Sequence, residues 1–175
     1  MALLRRFLRS EIKDLREQGV RLRAIGDRQR LPREVAELLT EAESATAGQE
    51  RLDLIVALSY GGRQELMSAA RRLIAAALDG RVKPEEIDEP CFRGALQLPD
   101  VPDPELIIRT SGEQRLSNFL LWQAAHSELV FDACLWPDFG EPQLTAALEV
   151  YRQRQPEPGS GQGDEVGHLR RERAG

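Results

Sequence analysis

Two segments concentrate the side chains that could do chemistry. Arg109-Thr110-Ser111-Gly112-Glu113-Gln114-Arg115-Leu116-Ser117-Asn118 packs two guanidiniums, three hydroxyls and a glycine into ten residues. Planar, fork-like donors beside a hydroxyl suit a diphosphate. Ser117 falls where a helix N-cap is expected, so free main-chain N–H groups would add to an anion site. Residue types alone leave a second reading open, a polar loop whose arginines pair with Glu113 or with the Asp-rich stretch before it. The other segment is Ser59-Tyr60-Gly61-Gly62-Arg63. Its paired glycines would let the backbone approach a ligand, and Arg63 could reach an anion. Taken alone, the segment is better explained as a tight strand-to-helix turn with a solvated Arg.

The remaining candidates are weaker. Glu128 stands alone before a short apolar run, where a carboxylate is most often a solvated end residue. His126 and His168 have no His or Cys neighbours, which argues against a transition-metal site. No GxxxxGKS or GxGxxG stretch supports an ordinary nucleotide site, and no Ser/His/Asp arrangement suggests a hydrolase. Trp122 and Trp136 read as core or interface anchors rather than a base-stacking platform.

The elements that must position these residues follow from periodicity. Leu4, Leu8, Ile12 and Leu15 form one helical stripe that ends at Gly19. Val20 to Ile25 alternates as a strand. Pro32 opens a second helix through Val35, Leu38, Leu39 and Ala42, closing near Gly48. Leu52 to Leu58 is nearly all apolar, as in a strand covered on both faces. A helix through Leu66, Ala70, Leu73 and Ala77 breaks at Asp79-Gly80, and 84–98 holds one or two short helices. Leu106 to Ile108 is a short buried strand, 116–125 is expected to be helical, 128–131 extended and 141–154 helical. Residues 155–175 are Pro/Gly-rich and charged, which predicts a disordered tail after a domain spanning 1–154. Strands alternating with helices imply an α/β fold with a mostly parallel sheet. Three firm strands and a short fourth are few for such a sheet, so the sequence reads as the later part of a larger unit.

Composition narrows the class. With 175 residues, 41% of them hydrophobic, the chain can build one core. A net charge of −5 does not favour nucleic acid as a partner. No apolar run approaches the roughly 18 residues of a membrane span. Cys91 and Cys134 are far apart and form no CxxC pair, which suits a reducing cytoplasm. Of 24 Lys and Arg residues all but Lys13 and Lys83 are Arg, leaving many planar donors.

Together these stretches resemble the cis-prenyltransferases, specifically bacterial undecaprenyl diphosphate synthases. The resemblance runs through Val20–Asp27, Ala57–Arg63, Pro104–Gln123, Ser127–Phe131 and Trp136–Phe139 in order, and covers about residues 2–154. It implies an undecaprenyl diphosphate synthase-like fold and repeated condensation of isopentenyl diphosphate onto an allylic diphosphate such as farnesyl diphosphate, giving a lipid carrier for cell-wall synthesis. It implies that Arg109, Arg115 and Ser117 hold the diphosphate of isopentenyl diphosphate, with Leu116 in the same substrate-binding stretch. It further implies that Glu128 helps position Mg²⁺ across a homodimer.

Departures from the family pattern carry their own expectations. The family's Asp-Gly-Asn-Gly-Arg-Trp motif, which holds the catalytic aspartate, is not found, so no catalytic residue is assigned. Few strands and the missing motif both point to a chain that begins within the family sequence and is inactive alone. The alternative is a non-catalytic subunit that pairs with a full-length prenyltransferase; a generic phosphate-binding module would not explain the ordered matches. Ser59 replaces the commoner Asn before Tyr-Gly-Gly-Arg, and Arg152-Gln153-Arg154-Gln155 runs into Pro156 in place of the family's basic, glycine-ended C-terminal motif. The expected dimer contact is the aromatic-rich stretch from Phe119 to Phe139.

Overall fold

Alternation in the first strand sorts its side chains onto two faces. The structure, a computed structural model, describes residues 2–154, with side chains from residue 10 onward. Strand β1 (Val20–Ile25) follows helix α1 (Ala2–Glu17) and buries Val20, Leu22 and Ile25. It runs parallel to β2 (Leu52–Ala57), in a register that sets Arg21 opposite Asp53. Opposite charges across a strand pair stabilise that register. Arg21 donates to the Asp53 carboxylate through two nitrogens, and Arg23 holds Asp100 with a bidentate pair at 2.7 Å.

Helix α2 (Arg33–Thr46) closes this core. Leu22, Leu31, Val35, Leu38, Leu39 and Ala42 pack together, with Ile12 and Leu15 of α1 against them. The side chains of Leu4 and Leu8 lie outside the described residues. Thr46 is fully buried and satisfied, its Oγ1 donating to Ala42 O at 2.8 Å and accepting the Leu22 N–H at 3.0 Å. An unpaired hydroxyl at that depth would cost about 1–3 kcal/mol.

Strand β2 departs from expectation. It is not covered on both faces: Leu52 is 57% exposed, and Leu54, Ile55 and Val56 are half-buried. Its hydrogen-bonded neighbour among the described residues is β1, and only the Leu54/Val56 face meets the core. Helix α3 (Gly62–Leu78) also sits about one residue off its expected face, burying Glu65, Ala69, Leu73 and Ala76. Ala69 and Leu73 join Ala95 and Leu96, beyond the short α4 (Glu89–Gly94), and Trp122 and Phe92 pack at its edge with ring centroids 4.6 Å apart.

Contacts divide the chain into two compact units, Met1–Pro104 with Arg115–His126, and Glu105–Gln114 with Ser127–Gly175. In the second, β3 (Leu106–Arg109) pairs parallel with β4 (Glu128–Phe131), and α5 (Glu141–Arg154) follows. Strand β3 is half-buried along its length rather than buried. The Tyr151 hydroxyl of α5 donates to Glu105 at 2.8 Å. Among the described residues the four strands thus form two two-stranded parallel sheets. The expected tail, 155–175, lies outside the described residues.

One expected helix is missing. Residues 116–125 form a chain of turns, because Ser117, Asn118 and Leu120 have φ of 48°, 66° and 44°. Left-handed residues cannot propagate a right-handed helix. No described helix is long and apolar enough to cross a membrane.

Candidate functional site

The first unit carries Arg115, Leu116 and Ser117 in the turn-rich segment. Arg115 Nε donates to Ser117 Oγ at 3.1 Å, so a guanidinium and a hydroxyl stand side by side. Ser117 is not the helix N-cap that its type suggested; it turns left-handed, and no helix begins there. The backbone instead curls to place Asn118 against the Tyr60–Arg63 turn. Asn118 O accepts the Gly62 N–H at 2.7 Å, and Asn118 Oδ1 accepts the Arg63 N–H at 2.9 Å.

That docking explains the paired glycines. A Cβ on Gly61 would lie 2.7 Å from Asn118 Nδ2, and one on Gly62 would lie 3.0 Å from Leu121 N. The glycines make room for Gln64 and for residues 118–121, which fits the tight-turn reading of Tyr60-Gly61-Gly62-Arg63, and Gly61 also lines the cleft beside it. The solvated alternative holds for Arg63, whose side chain is exposed.

A cleft of about 680 Å³ opens in this unit at the carboxyl ends of β1 and β2. Asp27, Arg28, Arg30, Tyr60, Gln64 and Arg72 are among its lining residues. Open α/β sheets gather ligands at such ends. Arg28 is held by Glu43 at 2.6 Å, and Arg72 donates to Ala95 O at 2.6 Å.

Glu65 also lines this cleft and was not singled out from the sequence. It is 4% exposed and accepts from the Tyr60 hydroxyl at 2.6 Å, Gln97 N at 2.8 Å and Gln123 Nε2 at 3.1 Å. Neutral donors can hold a buried carboxylate when it has several of them. Burial, and then the bond to Glu65, keep the Tyr60 phenol well above its ordinary range. A signal was present: Glu65, Ala69 and Leu73 follow one helical stripe, and a Glu in a core stripe asks for partners.

Arg109 and Glu128 belong to the second unit. Arg109 ends β3 and donates to Glu113 at 2.9 Å, realising the pairing that residue types had left open. Glu128 begins β4, beside Leu106 in register, whereas Arg109 pairs with Phe131. The two therefore lie at opposite ends of the strand pair, roughly 10 Å apart along it at 3.3 Å per residue. Glu128 is ion-paired with Arg154 at 3.2 Å. No cluster of three or more metal-ligating side chains occurs among the described residues. Glu128 supplies hard carboxylate oxygens, a donor type that fits Mg²⁺ shared with a substrate diphosphate rather than caged by protein alone.

The family model described as "Putative undecaprenyl diphosphate synthase" matches residues 1–159. The chain belongs to this family. It is 49% identical over 153 residues to isoprenyl transferase 2 of Bradyrhizobium diazoefficiens, covering 87% of this chain and 61% of that protein. Against the isoprenyl transferase of Rhizobium meliloti identity is 46% over 155 residues, 89% of this chain and 63% of the relative. The chain thus spans under two thirds of the length of these relatives. Among solved structures it resembles lavandulyl diphosphate synthase from Lavandula x intermedia in complex with dimethylallyl diphosphate, with TM-score 0.82 and 39% identity over 88% of this chain and 67% of that one. A probable undecaprenyl diphosphate synthase from Campylobacter jejuni gives TM-score 0.76 and 34% identity, over 88% and 70%. The α/β fold with parallel strands flanked by helices is that of undecaprenyl diphosphate synthases.

Proposed function

We propose that this chain carries the isopentenyl diphosphate-binding part of a cis-prenyl transfer, in which an allylic diphosphate such as farnesyl diphosphate is extended to a polyprenyl lipid carrier for the cell wall. The observation that carries the reading is the Arg115–Ser117 pair, a guanidinium fixed at 3.1 Å from a hydroxyl on a left-handed loop. Family membership and the position of Arg109 at the carboxyl end of β3 support it.

In this reading Arg109, Arg115 and Ser117 bind and orient the diphosphate of isopentenyl diphosphate, with Leu116 between them in sequence. The allylic diphosphate loses pyrophosphate, the isopentenyl double bond adds to the vacated carbon, and a proton is lost. Preorganised guanidiniums offset negative charge on the bound diphosphate without reorganising during reaction. Mg²⁺, when bound, would neutralise charge on the leaving diphosphate, and Glu128 is the residue that would hold it. The family resemblance has Glu128 reach the site of a partner subunit, and its place at the amino end of β4, away from Arg109, is compatible with that. The reading therefore includes a homodimer, or a pair with a full-length relative. A cytoplasmic site of action fits its unpaired cysteines.

Calorimetric titration of pyrophosphate tests the reading on folded protein. Wild type should bind, and Arg115→Lys should bind about tenfold more weakly although charge is kept, since an ammonium cannot make the forked contact. Equal affinities would reduce Arg115 to a loop charge.

A further inference from the structure

Helix α3 begins at a residue that cannot cap it. Its N-cap position is Gly61, which has no side chain to accept the first N–H groups. Asn118, more than fifty residues later, does so instead. Its main-chain O takes the Gly62 N–H at 2.7 Å and its Oδ1 takes the Arg63 N–H at 2.9 Å. Its Nδ2 donates to Gln64 Oε1 at 3.2 Å, so both ends of the amide are engaged. The Phe119 ring then meets Tyr60 edge-on, with centroids 5.8 Å apart.

We infer that Asn118 is a positioning residue for the anion loop: by capping α3 from outside, it fixes the backbone that presents Arg115 and Ser117. Four observations converge. Asn118 adopts φ 66°, which Asn tolerates better than most residues. It follows Ser117 directly, so its pinned peptide sets where the Ser117 hydroxyl stands. Ser117 Oγ in turn receives Arg115 Nε. The glycines at 61 and 62 are what let the two segments meet this closely. Loss of the amide frees the segment from a rigid helix terminus, and a donor set out of place binds its anion less well.

The inference rests on the diphosphate reading above, and one experiment separates the two. Asn118→Gly keeps the left-handed backbone and the main-chain O but removes the side-chain cap. Calorimetry with pyrophosphate is run on the full 175-residue chain as wild type, Asn118→Gly, Arg115→Ala and the double variant, each shown folded by circular dichroism. Asn118→Gly should weaken binding at least tenfold. The penalty of Arg115→Ala should shrink at least threefold in the Asn118→Gly background, because the guanidinium is no longer held in place. A purely structural role would lower the melting temperature while leaving affinity and the Arg115→Ala penalty unchanged, which would overturn the inference and leave the diphosphate reading intact. No pyrophosphate binding by folded wild type would overturn both.

Discussion

Gly62 and Leu121 approach so closely that a Cβ added at position 62 would stand 2.8 Å from Leu121 Cγ and 3.0 Å from Leu121 N. The second neighbour is backbone and cannot swing aside. Gly62→Ala should therefore destabilise the protein by about 1–3 kcal/mol, the usual range for overpacking. Gly94→Ala is the matched control, since nothing lies within 4 Å of a Cβ there. Urea titrations of the two variants give the comparison; equal midpoints would mean that the segment from 118 to 121 does not pack on α3 as described.

Acid should loosen the face of β1 that carries its arginines. A hydrogen bond from Arg23 holds the Asp100 carboxyl down to about 2, and Arg21 lowers Asp53 in the same way. A carboxylate depressed in the fold stabilises it above the ordinary carboxylate range, near 4, and loses that contribution as pH falls toward 2. The melting temperature should drop through that window. Asp100→Asn should flatten part of the drop, and added salt should shrink the difference because the pair is partly exposed. Thermal melts of both proteins at pH 2, 3, 4 and 7 decide it, and parallel curves would remove Asp100 from the account.

Among the described residues, the four strands and α1, α2, α3 and α5 follow from local periodicity, and α4 falls inside the 84–98 stretch expected to hold short helices. Periodicity failed at 116–125, which was expected to be helical and is not. The deciding facts there are φ values at Ser117, Asn118 and Leu120 that depend on docking to a turn over fifty residues earlier. The same non-locality hides part of what surrounds Gly61 and Gly62, since Asn118 and Leu121 are remote in sequence. For β2, hydrophobicity reported what the strand can bury but not which neighbours cover it. Ser59 illustrates a partial signal. Its φ of 51° is a left-handed conformation that Asn, the residue expected there from the resemblance, adopts more easily than Ser.

The two tryptophans should separate stability from association. Trp122 packs on Phe92 in the first unit, whereas Trp136, in the second, is 73% exposed and stacks on Phe139 at 5.9 Å. Leu135 beside it is 58% exposed. Large exposed aromatics grouped in this way are typical of interface centres. Trp122→Ala should thus cost about 2–4 kcal/mol in urea unfolding and leave the assembly state of the folded protein alone. Trp136→Glu should cost less than about 0.5 kcal/mol within a chain but abolish self-association. Sedimentation equilibrium reads the second effect directly: wild type at twice the 19.7 kDa chain mass, the variant at one. A Trp136→Glu protein that keeps the wild-type dimer mass would remove Trp136 from the subunit contact and shift the search to Phe119 and Leu121, which are also exposed.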